Sequence, residues 1–167
     1  MAKKTTMMKD LEHAFALADL DVDDCLHQTK QLLSSYNRLA WLDCNAALDT
    51  IRTHYDLPDL RLGTQLLEDA SPLHTMPDTR KMRSIAVMVD IMTQLADQVT
   101  QYPVYGAQYG VILRGAYFNK NPQSDMALCD ALHLERTTYY SRKREAIALF
   151  GYMLFTKYLP QLKMLCQ

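Results

Sequence analysis

The sequence predicts an all-α protein, built as a long helical hairpin followed by a C-terminal helix-turn-helix. Only 5 Gly and 6 Pro occur in the 167 residues, so turns are few and elements are expected to be long. Leu, Ala and Met are abundant while Val and Ile are sparse, which favours helix over sheet. No segment alternates long enough to form a strand of a sheet. At 49% hydrophobic and 22% charged residues, the composition is that of a globular protein.

The first half of the chain is predicted to hold one short helix and one long helix. Residues 1–20 carry apolar side chains at spacings of three and four, which is typical of a short amphipathic helix, and we expect it to be loosely anchored. The Asp residues of 19–24 suit the start of the next helix, because carboxylates favour the positive end of the helix dipole. Helical spacing then continues from Val22 to Tyr55, over about 34 residues, and ends before Pro58.

A connector is predicted next, because 56–77 contains three of the six prolines. One helical turn is expected at 64–69. Asp78 suits the N-cap of a second long helix, whose apolar stripe ends near Tyr102. Two helices of this length predict either an intramolecular hairpin or a coiled-coil contact with a second copy, and the pattern leaves both open.

Three further helices are predicted in the C-terminal third: 104–118, a helix capped by Ser124 that ends at Leu132, and a helix from near Glu135 to Tyr158, before Pro160. His133 falls in the turn, where a left-handed backbone is expected and where His is among the enriched non-glycine residues. Such a grouping fits a helix-turn-helix. We expect Tyr139 and Cys129 in the core. The expected buried face of the helix after Ser124 consists of Met126, Ala127, Leu128, Ala131 and Leu132.

The formal net charge of −1 conceals an asymmetry between the two parts of the chain. Residues 1–100 carry 10 Lys and Arg against 15 Asp and Glu, whereas residues 101–167 carry 8 against 4. A basic half in a nearly neutral protein indicates contact with nucleic acid. We therefore predict a helical N-terminal region, 1–102, for oligomerisation or partner binding, and a DNA-binding helix-turn-helix domain, 103–167.

The candidate DNA-binding surface is the N-terminal half of the last helix. Residues 135–145 include four basic and two acidic side chains. Arg can pair bidentately with guanine, Ser and Thr hydroxyls can bond base edges or phosphate, and flanking basic residues neutralise phosphates. The predicted DNA-binding residues are Arg136, Thr137, Thr138, Tyr140, Ser141, Arg142, Lys143 and Arg144. The solvated face of a plain helical bundle would carry the same residues, and that alternative stays open.

The segment that begins at Leu132, LHLERTTYYSRKREAIALF, resembles the C-terminal end of the ArpU/RinA group of phage-type transcriptional regulators. The shared pattern comprises Thr138-Tyr139-Tyr140, Lys143-Arg144 and Ala146-Ile147. The layout is also similar to the sigma-factor region that binds the −35 promoter element. The segment departs from the family's pattern at His133, where Gly is usual, and at Glu135, where Ser or Thr is more usual. The resemblance implies a sequence-specific regulator of late phage or prophage genes that binds double-stranded DNA near a promoter.

An alternative is a helical interaction or assembly module that contacts RNA polymerase or a phage packaging component without contacting DNA. For the DNA-binding regulator we expect a homodimer, since two half-sites improve DNA affinity, and a monomer that is supported by RNA polymerase is the alternative. No enzymatic activity, cofactor or metal is predicted, because the five glycines are isolated and no catalytic or metal-site spacing occurs. The four scattered cysteines predict reduced, buried thiols of a cytoplasmic protein. No apolar run approaches the length of a membrane span.

Overall fold

A computed structural model describes residues 4–44 and 78–161, and within these ranges the fold is all-α, as predicted. The six α-helices of this part are α1 (Thr6–Leu17), α2 (Val22–Cys44), α3 (Asp78–Thr100), α4 (Gly106–Leu113), α5 (Asp125–Leu132) and α6 (Arg136–Met153). A π-helical turn follows α4 at Arg114–Phe118, and another follows α6 at Leu154–Tyr158. The predicted continuation of α2 to Tyr55 and the predicted turn at 64–69 lie outside the described residues.

The first two helices begin at side-chain caps. Thr5 Oγ1 accepts a hydrogen bond from the backbone N–H of Met8, at 3.2 Å. Asp21 Oδ1 accepts one from the backbone N–H of Asp24, at 2.8 Å, so the Asp run starts α2 as the sequence predicts. Between the two helices the backbone turns at Asp19, whose φ is +57°.

Helix α1 is firmly anchored, and the prediction of loose anchoring is wrong. Met8, Leu11 and Phe15 are buried, and the Phe15 ring packs edge-on against Tyr152 of α6, with ring centroids 5.3 Å apart. The Thr5 hydroxyl that caps α1 also donates a hydrogen bond to the Glu145 carboxylate of α6. Burial of a full aromatic ring and two aliphatic side chains explains why so short a helix is held in place.

The two long helices α2 and α3 pack against each other within one chain, which is the hairpin alternative. Leu32, Leu33 and Leu39 of α2 and Met88, Met92 and Leu95 of α3 are almost completely buried. The Tyr36 hydroxyl of α2 meets Thr93 Oγ1 of α3 at 3.3 Å.

The main core includes residues from both sides of position 102, the predicted domain boundary. Ala146, Ile147, Ala148, Leu149 and Phe150 are buried in the same cluster as the apolar residues of α1, α2 and α3. The C-terminal half of α6 is therefore a core helix of the bundle. Its approach to α2 is close at one point, where a Cβ added to Gly151 would lie 2.4 Å from Thr29 Oγ1.

A second, smaller core joins α4, α5 and α6. Its buried members are Ile112, Leu128, Cys129 and Tyr139. The prediction that Met126, Ala127 and Ala131 are buried is wrong: Met126 is 70% exposed, and both alanines are exposed as well. Helix α5 has only two turns and contacts its neighbours along one side, and Met126 lies two residues, or about 200°, away from Leu128. The prediction of a buried Cys129 is confirmed, and Cys25 and Cys129 are both free thiols.

The second π-helical turn ends at Tyr158, where the sequence predicts the end of the last long helix, but the helical backbone continues past Pro160 to Gln161. The π-helical turn Leu154–Tyr158 precedes this proline. Its hydrogen bonds span five residues and already interrupt the ordinary ladder. Pro160 has no backbone N–H and cannot donate a helical hydrogen bond, but this loss adds little because the π-helical turn has already changed the hydrogen-bond pattern there.

Candidate nucleic-acid interface

The connection between α5 and α6 is short and is fixed by local chemistry. Ser124 Oγ caps α5 by accepting from the backbone N–H of Ala127, at 3.2 Å. The helix ends at His133, whose φ of 52° and ψ of 39° place it in the left-handed conformation that the sequence predicts. Its successor Leu134 donates its backbone N–H to Cys129 O, at 3.1 Å. Glu135 then precedes α6 without making a side-chain cap.

Asp125, in the first turn of α5, ties that helix to α6. Its Oδ1 accepts hydrogen bonds from the Tyr139 hydroxyl at 2.7 Å and from Lys143 Nζ at 2.6 Å. Partial burial raises the pKa of Asp125, but the hydrogen bonds from Lys143 and Tyr139 outweigh it and hold this pKa below its usual value. Asp125 is therefore a carboxylate at neutral pH, and Lys143 is bonded within the protein.

Glu145 forms the second polar cluster behind α6, and only 1% of its surface is exposed. It accepts hydrogen bonds from the Tyr109 hydroxyl at 2.7 Å, from Arg142 Nη1 at 2.9 Å, and from Thr5 Oγ1. The Arg142 guanidinium also stacks on Tyr105, with its central carbon 3.4 Å from the ring centroid. Burial is the main cause that raises the pKa of Tyr109, and the hydrogen bond to Glu145 raises this pKa further, so the phenol stays protonated at neutral pH.

The eight predicted DNA-binding residues divide into three groups in the structure. Arg142 and Lys143 point into the protein, with side chains only 14% and 20% exposed. Thr138 is half-buried. The other five residues lie on the outer side of the first turns of α6, and we call them the exposed face: Arg136, Thr137, Tyr140, Ser141 and Arg144. Ser141 is the least exposed of these, while 51% of the Arg144 side chain is exposed.

The exposed face therefore presents two arginines where the sequence suggested four basic residues. Arg144 has one acidic neighbour, with its Nη2 3.8 Å from Asp23 Oδ1 at the start of α2. The sequence did not predict Asp125 as the partner of Lys143, nor Glu145 as the carboxylate that both Arg142 and Tyr109 bond. The i, i+3 spacing of Arg142 and Glu145 was a visible signal for one of these pairs.

The polar clusters leave α6 with a rigid inner side and an exposed face that contacts solvent.

In the part of the chain that the structure describes, no helix is long and apolar enough to cross a membrane. Residues 4–44 and 78–161 contain no group of three or more His, Cys, Asp or Glu residues placed to hold a metal ion. No protein-family model, curated protein or solved structure matches this chain.

Proposed function

We propose that the protein is a sequence-specific DNA-binding transcriptional regulator that places the first turns of α6 in the major groove. The observation that carries the proposal is the exposed face, which combines two guanidinium groups with hydroxyl side chains. The opposite side of the same helix is held by hydrogen bonds to Asp125 and Glu145. In helix-turn-helix proteins the N-terminal residues of the second helix contact base edges, while the first helix crosses the backbone. Helices α5 and α6 would take these two positions.

The exposed face has the chemistry that base contact requires. Arg136 and Arg144 can each bond a guanine bidentately. Thr137 and Ser141 can bond base edges or phosphates, and Tyr140 adds a phenol hydroxyl beside them. Arg142 and Lys143 act in this proposal as positioning residues, because their charged groups are bonded to Glu145 and Asp125. Thr138, half-buried beside Tyr139, would contact DNA only through its hydroxyl at the edge of the face.

The two arginines of the exposed face neutralise few phosphates. With a salt dependence of about −0.9 in log affinity per phosphate, such a face gives a shallow slope of roughly −2. One copy would therefore bind DNA weakly. We propose that a second copy on an adjacent half-site, or RNA polymerase beside the promoter, supplies the remaining affinity. Light scattering on the protein with and without duplex DNA separates these two arrangements.

The resemblance of the segment from Leu132 to Phe150 to ArpU/RinA regulators supports late phage or prophage genes as the targets. A regulator of this kind acts in the cytoplasm. Double-stranded DNA is then the principal partner, and no cofactor takes part.

An assembly module is the second candidate function, and two observations favour it. Half of the basic residues that suggested DNA contact are bonded internally, and the exposed Met126 lies on α5, the helix that precedes the connection to α6. Apolar side chains beside a few charges are typical of protein interfaces. In that case the exposed face would contact RNA polymerase or a packaging component.

Selection from a random duplex library with the purified full-length protein tests the proposed function. We expect one sequence motif to be enriched, and the enriched duplex to be bound in the presence of excess competitor DNA. Recovery of no motif over several rounds would contradict DNA recognition and favour the assembly module.

A further inference from the structure

The start of α2 places negative charge beside the exposed face of α6. Asp23 and Asp24 lie in the first turn of α2, and both are exposed. Asp23 Oδ1 lies 3.8 Å from Arg144 Nη2, and 91% of the Asp23 side chain is exposed. A carboxylate and the guanidinium of a candidate DNA contact therefore share one patch of surface.

The position of this carboxylate is fixed by the packing of α2 on α6. Thr29, six residues after Asp23, is completely buried. It faces Gly151, seven residues after Arg144, and the two helices approach so closely there that a Cβ on Gly151 would clash with the Thr29 hydroxyl. The two helices run in the same direction past this contact, and Asp23 and Arg144 precede it by six and seven residues. The first turn of α2 is therefore held next to Arg144. Asp21 fixes that turn by capping it.

We infer that Asp23 competes with DNA phosphate for Arg144, so that the start of α2 lowers the affinity of the exposed face for DNA without the target sequence. This inference rests on the proposed function. A phosphate that approaches Arg144 must displace or tolerate the Asp23 carboxylate, which repels it within the Debye length of about 8 Å at physiological salt. On the target sequence, base contacts from the rest of the exposed face compensate for this cost. On other DNA only phosphate contacts are available, and the cost is not recovered.

A stabilising role does not account for the Asp23–Arg144 pair. The nitrogen and oxygen are 3.8 Å apart, and both side chains are more than half exposed. Exposed pairs with such geometry contribute little to folding, because water and salt screen them. Removing the Asp23 charge should therefore lower the free energy of unfolding only by the small loss of a carboxylate at the start of α2, whereas DNA binding should change, which separates the two roles.

Asp23→Asn removes the charge with almost no change in shape. Asp90→Asn is the matched control, because Asp90 is also an exposed helical Asp. Asp90 lies on α3, three residues before Thr93. The Thr93 hydroxyl meets Tyr36 of α2, and Tyr36 lies thirteen residues after Asp23 in that helix. At 1.5 Å per residue this places the control charge roughly 20 Å from Asp23, which is beyond two Debye lengths at physiological salt and beyond one Debye length, about 14 Å, at about 50 mM salt.

The measurement is fluorescence anisotropy of a mixed-sequence duplex of about 30 base pairs, at about 50 mM and 200 mM salt. We expect Asp23→Asn to bind this duplex about three- to tenfold more tightly than Asp90→Asn at the lower salt, with a smaller gain at the higher salt. In an Arg144→Ala background most of this gain should disappear, since the competing pair no longer exists.

Equal binding by Asp23→Asn and Asp90→Asn would overturn the inference, and so would a gain that persists fully in the Arg144→Ala background. The wild-type protein on its selected duplex distinguishes this failure from failure of the proposed function. If wild type binds that duplex tightly while the two Asn variants do not differ, only the inference is wrong. If neither wild type nor any variant binds duplex DNA, the proposed function fails as well.

Discussion

Lys143 of α6 bonds Asp125 of α5 across the connection between the two helices, with the ammonium nitrogen 2.6 Å from Oδ1. The same oxygen accepts the Tyr139 hydroxyl. One carboxylate thus receives two side chains of α6 that are one helical turn apart, and it sets the angle at which the exposed face is presented. In the basic run of residues 142–144, Arg142 is bonded to the buried Glu145 and Lys143 is bonded to Asp125 of α5. Arg144 is bonded to neither of these carboxylates.

We expect Asp125→Ala to lower the free energy of unfolding by about 1 kcal/mol, because Tyr139 and Lys143 lose a partly exposed acceptor. Asp125→Asn keeps an acceptor for Tyr139 and should cost less. Urea denaturation followed by circular dichroism gives both values. If the two variants match wild type in urea, Asp125 does not hold the helices together.

The Asp125 contribution should also depend on pH. A carboxylate whose pKa is lowered by folding stabilises the folded state above the unfolded pKa, and this stabilisation is lost as the pH falls through the folded pKa. The difference in unfolding free energy between wild type and Asp125→Asn should be constant near neutral pH. It should shrink below about pH 4, the usual range of an Asp carboxyl. A difference that stays constant down to pH 2 would contradict the charge assignment.

Glu145→Ala should be the most destabilising single change near the interface. It leaves the largely buried Arg142 without its carboxylate, a loss of about 3 kcal/mol or more in the free energy of unfolding. It also removes the acceptor of Tyr109 and Thr5. Thr5→Ala is the control within the same cluster, and loss of this helix cap should cost only about 1 kcal/mol. Similar costs for the two variants would argue against Glu145 as the centre of the cluster.

His133→Gly should stabilise the protein by about 1 kcal/mol, because the left-handed conformation is strained for a residue with a Cβ and free of strain for glycine. Ala127→Gly on the exposed side of α5 is the opposite control, and we expect it to cost up to about 1 kcal/mol. Thermal melts of both variants test the sign of each effect. A lower melting temperature for His133→Gly would show that the imidazole makes a contact worth more than the backbone strain.

The features that the sequence predicted correctly are set by neighbouring residues. The caps at Asp21 and Ser124 and the left-handed His133 depend on atoms within three or four positions, so local chemistry specifies them. The burial of Tyr139 followed from helical spacing. Such signals located the start of α2, both ends of α5, the start of α6 and the connection between α5 and α6.

The features that the sequence did not predict depend on contacts between distant positions. Asp125 precedes Lys143 by 18 residues, and Tyr109 precedes Glu145 by 36. Whether a basic side chain in α6 faces solvent or a carboxylate is decided by how α4 and α5 pack against it. The same holds for the firm anchoring of α1, which rests on Phe15 meeting Tyr152 across the bundle.

If the exposed face contacts DNA, Arg136→Ala and Arg144→Ala should each weaken binding to the selected duplex. Lys157→Ala is the matched control, because Lys157 is exposed and lies thirteen residues, or roughly 20 Å, beyond Arg144. We expect each arginine variant to bind about tenfold or more weakly, with an unchanged circular dichroism spectrum, and Lys157→Ala to bind as wild type does. Unchanged affinity in both arginine variants would show that the exposed face does not contact DNA.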